Sequence, residues 1–234
     1  MSASEPRLPG RVARTRLYEQ VAEQITAWVA AEGLVAGDRL PPERELAVQL
    51  GVSRATLSQA LVALEVVGVV AVRHGDGTVL TGAEAASAPV MSAIRAHADR
   101  LPEVIDARDA LETKIARLAA ERRTDDDLAE IDAALRDMER DIEGGGRGVH
   151  ADERFHGAVT RAAHSPLLAQ MMATIGELIR ESRIESLAQP ERPRNSLAGH
   201  RAVADAIAAG DADGAAAAMH AHIMMVSDVA LLRD

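Results

Sequence analysis

Cysteine is absent from the 234 residues, so disulfides and thiolate metal sites are excluded, which fits a reducing compartment. Aromatic residues are nearly absent too, with one Phe, one Trp and one Tyr. The core must therefore be made of Ala, Leu, Val, Ile and Met, which suits closely packed helices better than a large sheet. No apolar run approaches the ~18 residues that a membrane-spanning helix needs. Residues 1–16 hold Glu5, Pro6, Pro9, Gly10 and four Arg without an apolar stretch, so no secretory leader is expected. The expectation is a soluble, cytoplasmic protein with no membrane partner. Positive charge is also short overall, with a net charge of −10, but the deficit is uneven. Residues 1–80 carry 8 Arg against 9 acids, net −1, whereas residues 81–234 carry net −9. A near-neutral N-terminal part leaves a basic nucleic-acid-binding face open.

What is present divides the chain. After an Arg-rich arm (1–13), residues 16–32 place Leu17, Val21, Ile25 and Val29 at helical spacing, ending at Gly33. Pro41 and Pro42 lead into a short helix that stops at Gly51. Ser53 can cap a third helix to about Val67, striped with Leu57, Leu61 and Leu64. Two β-rich pieces, 69–72 and 78–80, joined by residues 73–77, read as a hairpin. Three helices and a two-stranded wing make a winged helix-turn-helix over 1–80. Residues 81–90 (TGAEAASAPV) have linker composition. Residues 91–234 read as an all-α antiparallel bundle, with helices over about 91–99, 102–122, 125–143, 148–163, 166–188, 196–209 and 212–232. The fold class expected is mainly α.

In a helix-turn-helix the second helix enters the major groove with its first residues at base edges. Here those are Ser53, Arg54, Ala55 and Thr56, with Arg44 opening the helix before. Arg54 can offer two parallel donors to a guanine, and Thr56 can meet a phosphate or a thymine methyl. In the wing, Gly75 and Gly77 permit close approach to DNA and His74 can enter a groove. Spacing alone leaves open that Arg44 and Arg54 are ordinary solvated charges. Residues 40–79, LPPERELAVQLGVSRATLSQALVALEVVGVVAVRHGDGTV, closely resemble the DNA-binding domain of GntR-family transcription regulators. The resemblance implies that Arg44, Ser53, Arg54, Thr56, His74 and Gly75 contact double-stranded operator DNA. Ser58 departs from the arginine common in that family, which implies a different operator.

A second constellation lies further on. Asp152 and His156 are four residues apart, on one helix face. His200 and His222 sit about ten residues before and after the centre of the Gly210–Gly214 turn, so at ~1.5 Å per residue both lie ~15 Å from it, at one level. Three neutral imidazoles and a carboxylate suit a divalent transition ion, zinc first and nickel or manganese next, with positions left for water or a small acid. Residues 101–232 look like the FCD domain of the FadR-like subgroup of GntR regulators. That resemblance implies metal binding by Asp152, His156, His200 and His222, and places Arg108 near an effector cavity where it can pair with an organic carboxylate. Glu112, on the same helix face, is expected at the effector site with Arg108, and the two also read as an ordinary intrahelical ion pair.

His220 reads as a surface or supporting residue, and His97, His150 and His164 as solvated or loop residues. Met171, Met172, Met224 and Met225 read as core filling. The leading expectation is a homodimeric transcription regulator answering to a small carboxylate. A metal-dependent enzyme acting on a small carboxylate is the alternative, and a purely structural ion is a third.

Overall fold

The computed structural model describes residues 16–73, 77–82 and 87–227. Among them the chain is mainly α. The N-terminal part contains α1 (Leu17–Ala31), α2 (Glu43–Leu50) and α3 (Arg54–Val66), followed by β1 (Val70–Arg73) and β2 (Gly77–Leu80). The strands pair antiparallel with Val70 opposite Leu80, and Arg39 bridges to Val79 on the outer edge. Gly51 ends α2 in a left-handed conformation (φ 65°, ψ 30°) that an L side chain rarely adopts, and this fixes the tight turn into α3. Ser53 caps α3 by accepting from the Thr56 amide at 3.1 Å, an interaction typically contributing about 1 kcal/mol.

The second part is built from α4 (Ser87–Arg122), α5 (Asp125–Glu143), α6 (Val149–Ala162), α7 (Pro166–Thr174), α8 (Gly176–Leu187), α9 (Arg192–Ala209) and α10 (Ala212–Ser227). Thr124 and Asp127 form a reciprocal capping box at the start of α5. The buried core of this bundle joins Ile115, Ala119, Ile131, Met138, Phe155, Val159, Val203, Ile207, Met219 and Ile223. Nearly all of these side chains are aliphatic, as the scarcity of aromatics requires.

Several boundaries differ from the sequence expectation. No break occurs at Leu101–Pro102; α4 is continuous and Pro102 lies inside it. An interior proline costs about 3 kcal/mol or more, and here packing on both sides opposes that cost: Ile94, Ala98 and Leu101 before it and Val104 after it are buried. Residues 87–90 have linker composition but form the first turn of α4, where Pro89 is tolerated and Val90 is buried against the N-terminal core. The single helix expected over 166–188 is two, separated at Ile175. α7 has no buried residue, and Met171 is 44% exposed, so Met171 does not fill the core.

The two parts meet over an apolar seam. Val90, Met91 and Ile94 of α4 and Ile184 of α8 belong to the same buried cluster as Tyr18, Ile25, Leu57 and Leu64. Polar ties flank it. Arg147, in the loop before α6, donates to both carboxylate oxygens of Glu65 on α3 at 2.6 Å, and Glu65 also accepts from the Val72 amide of the wing at 3.1 Å. Arg95 pairs with Glu19 at 3.1 Å. His97 is not solvated as expected. It is 4% exposed and holds Glu181 at 3.2 Å and Glu185 at 2.7 Å.

Candidate metal centre and DNA-reading face

Four side chains from three helices converge inside the bundle. The i, i+4 spacing on α6 stacks Asp152 and His156, α9 supplies His200, and α10 supplies His222; each is at most 3% exposed. The Nε2 of His200 lies 3.1 Å from that of His156 and 3.2 Å from that of His222. Asp152 Oδ1 is 3.4 Å from His200 Nε2, and Oδ2 is 3.8 Å from His156 Nε2. Around an ion bound at ~2.0–2.1 Å by imidazole nitrogens, a tetrahedral site has ligand separations of about 3.3 Å. Two of the three separations between ring nitrogens therefore match the spacing such an ion requires, and all three nitrogens lie within 4.8 Å of one another. Asp152 Oδ2 is buried without an aligned hydrogen bond, its charge faced by the Arg183 guanidinium with Nε 3.0 Å away. The donor set thus fits a divalent transition ion.

Local packing fixes the rings. Phe155, the only phenylalanine, stacks on His200 with centroids 4.2 Å apart. Gly199 leaves space for His222: a Cβ there would come within 2.7 Å of its Nδ1. Glu112 on α4 pairs with His156 Nδ1, and a carboxylate holding the outer nitrogen of an imidazole fixes the tautomer that turns Nε2 inward. Burial pushes Glu112 up, but His156 and Arg108 more than offset this and hold it well below the usual carboxylate range. Arg108 donates from Nε to Glu112 Oε1 at 2.7 Å and from Nη1 to Ser182 Oγ at 3.4 Å. The intrahelical pair is thus present, and Arg108 also lines a narrow crevice with Asp152 and His222.

Burial holds His156, His200 and His222 below the ordinary imidazole value, with Arg183 adding to the effect on His156, and neighbouring histidines on the other two. Below pH 6.5 the unfolded chain takes up protons at these rings and the folded chain resists, so stability falls as pH falls. His97 works the other way. Burial lowers its pKa, but Glu181 and Glu185 override this and raise it to about 9, so its contribution is full below 6.5 and is lost as pH rises through 9. The metal-free chain is expected to be most stable between these limits. The acid slope is bounded at about 4 kcal/mol per pH unit for three protons. Urea midpoints measured from pH 5 to 10 check this, and a flat profile between 5 and 7 would contradict it.

The other residues expected to act lie elsewhere on the molecule. Arg44 and Arg54, at the starts of α2 and α3, are exposed. The Thr56 hydroxyl lies 2.9 Å from the capping Ser53 hydroxyl. His74 and Gly75 lie outside the described residues. His220 is outside the metal cluster, exposed and paired with Asp109 at 2.7 Å. His150 is exposed beside Glu153, and His164 bonds Asp127 at 2.8 Å.

Arg183 on α8 carries no signal in the sequence. It is 8% exposed, with Nε 3.0 Å from Asp152 Oδ2 and Nη2 3.5 Å from Glu112 Oε2. Nothing in GELIRESRIESL separates it from the nearby, more exposed Arg180, because α8 is buried on so many sides that no periodic stripe marks its inward face.

A three-helix unit with a hairpin wing, joined to a helical bundle holding a His cluster, defines a two-part regulator. The chain belongs to the GntR family: residues 17–80 match the model for bacterial regulatory proteins of the gntR family, and residues 103–224 match the FCD domain. It is a transcription regulator of that family carrying an FCD domain, as in the FadR-like subgroup. Among its relatives is the putative L-lactate dehydrogenase operon regulatory protein of Escherichia coli (strain K12), 35% identical over 90% of this chain and 85% of that one. Another is the HTH-type transcriptional regulator LutR of Bacillus subtilis (strain 168), 33% identical over 84% of this chain and 93% of that one. A solved structure of Streptococcus agalactiae GntR is 27% identical and aligns over 90% of this chain and 99% of that one, with a TM-score of 0.47. Among the described residues, no helix is long and apolar enough to cross a membrane.

Proposed function

We propose that this regulator is a homodimer whose hold on operator DNA is set by a small carboxylate sensed at a metal centre. The ion, with zinc favoured over nickel or manganese, would be held by Asp152, His156, His200 and His222. The observation that carries the reading is the convergence of three buried imidazoles, with His200 Nε2 at 3.1 and 3.2 Å from those of His156 and His222, beside the buried carboxylate of Asp152. When bound, the ion supplies open positions for an oxygen of the acid. Arg108 supplies a cation on the other side, and Glu112 orients both Arg108 and His156. The name of the E. coli relative supports a metabolic operon and points to L-lactate as the first acid to try.

The DNA-reading part is assigned to residues 1–80, joined through 81–90 to a sensing part at 91–234. Arg44, Ser53, Arg54, Thr56, His74 and Gly75 are assigned to operator contact, with two recognition helices on symmetric half-sites. The role is regulation, not turnover: a winged helix-turn-helix has no use in a free-standing hydrolase, and both acids at the centre are already paired with cationic or imidazole groups.

The test is a thermal-unfolding screen of zinc-loaded protein with L-lactate and other small organic acids, with and without chelator. A true ligand at a hundred times its Kd stabilises by about 2.7 kcal/mol. The expected result is a dose-dependent rise in Tm that chelator removes, matched by altered operator retention in a gel shift. A response indifferent to chelator would refute the metal-centred part of the reading.

A further inference from the structure

We propose that Arg183 imposes an order on the site: it stands in for the metal at Asp152 in the metal-free chain, and once an ion claims Asp152 it becomes the receptor for an organic anion. This rests on the proposed metal centre and adds a residue and a sequence of events to it.

Three observations carry the inference. First, Arg183 is poorly satisfied for a buried guanidinium. Its Nε and Nη2 lie near Asp152 and Glu112 but neither makes a well-aligned hydrogen bond, and both are without a hydrogen-bond partner. Arg108, by contrast, is committed to Glu112 and Ser182. Second, Arg183 lies between the interior and the outside. It lines the narrow crevice shared by Arg108, Asp152, Ser196 and His222, and also a pocket of about 320 Å³ between α6, α7 and α8 that reaches His156 and is walled by Met172 and Ile179. A small acid entering by that pocket meets Arg183 alongside His156, at the edge of the metal ligands.

Third, the charges balance only before metal arrives. The guanidinium groups of Arg108 and Arg183 face the carboxylates of Glu112 and Asp152, with the imidazoles neutral. A divalent ion adds two positive charges and draws Asp152 to itself. Arg183 is then a buried cation beside a second cation, an expensive arrangement unless an anion joins it. A carboxylate suits the planar fork of the guanidinium and offers its remaining lone pairs to the ion. Removing the Arg183 charge should therefore strengthen metal binding while abolishing the anion response, two effects of opposite sign that a merely structural role would not produce.

The experiment uses the full chain as wild type, R183M and R183K, each checked for helicity and size in solution. Zinc is titrated calorimetrically with no organic acid present. R183M is expected to bind zinc about tenfold more tightly or better, because a neighbouring positive charge is gone; equal or weaker affinity overturns the competition at Asp152. The zinc-loaded proteins are then melted in rising acetate, L-lactate and malonate, with bound zinc measured before and after so that stripping of the ion is seen. Wild type is expected to be stabilised by at least one of the three and R183M by none. An R183M response equal to that of wild type, or no response from wild type, overturns the receptor role. Should R183M fail to fold, R183K decides: it keeps the charge, so zinc affinity should stay within about threefold of wild type, while a single-point ammonium loses most of the anion response. A full anion response in R183K would overturn the proposal. A wild-type chain that takes up no zinc defeats the metal reading itself, a result distinct from these and one that removes the basis for the order of binding.

Discussion

Zinc binding is expected to fall by roughly a hundredfold when His200 or His222 is replaced by alanine, and stoichiometric metal should be lost from the double variant. Structural zinc sites contribute about 10–16 kcal/mol over four ligands, so one ligand carries about 3 kcal/mol, and each 1.4 kcal/mol is tenfold. His200 should be the more sensitive of the two. Its Nε2 is within 3.2 Å of both neighbouring Nε2 atoms and within 3.4 Å of Asp152, so it is the hub of the cluster. Its ring is also stacked on Phe155, and the alanine variant leaves a cavity there. H200Q, which keeps most of the volume, separates loss of ligand from loss of packing. Metal analysis after dialysis and a calorimetric zinc titration read the outcome. Unchanged zinc content in the double variant would remove His200 and His222 from the ligand set.

Operator binding is the second large effect. Arg54 opens α3 and is exposed there, immediately after the Ser53 cap. A bidentate arginine to guanine contact discriminates by about 1–3 kcal/mol, and a symmetric dimer loses it twice. R54A is therefore expected to weaken binding to its operator by roughly a hundredfold or more at fixed salt, with little change in thermal stability because the side chain is solvated. Gel shifts with the promoter fragment, run beside a scrambled duplex, measure this. R44A is the informative companion. If Arg44 meets phosphate, it should weaken both duplexes alike and reduce the salt slope by about 1, whereas R54A should erase the preference between them. Equal preference in R54A and wild type would take Arg54 out of base reading.

How much of the molecule is legible in its sequence depends on the kind of signal. The winged helix-turn-helix is legible because its punctuation is local: Gly51 demands a left-handed turn, Ser53 caps the recognition helix, and the leucines of α3 keep one stripe. The candidate metal ligands are legible because a helical repeat pairs Asp152 with His156, one tight turn levels His200 with His222, and the resemblance to the FCD domain joins the two pairs. Arg183, His97 and Gly199 are not. Their significance lies in which helix packs against which, and that is decided by tertiary contacts far apart in the chain. His97 is buried only because Glu181 and Glu185, more than eighty residues on, face it. The Pro102 region departs from expectation for a related reason, since a local rule about proline is overridden by apolar residues buried on either side of it.

The unbroken α4 has a mechanical meaning. At ~1.5 Å per residue it is a rod of about 54 Å, set at one end among the residues behind the recognition helix and carrying Arg108 and Glu112 farther along. A rotation imposed where Glu112 meets His156 would be passed along the continuous helix toward Val90, Met91 and Ile94, with Pro102 between them the one place where the rod is built to bend. In the proposed homodimer, news of an occupied centre would travel along such a shaft, and the distance between two reading heads would become a matter of how two such shafts are angled.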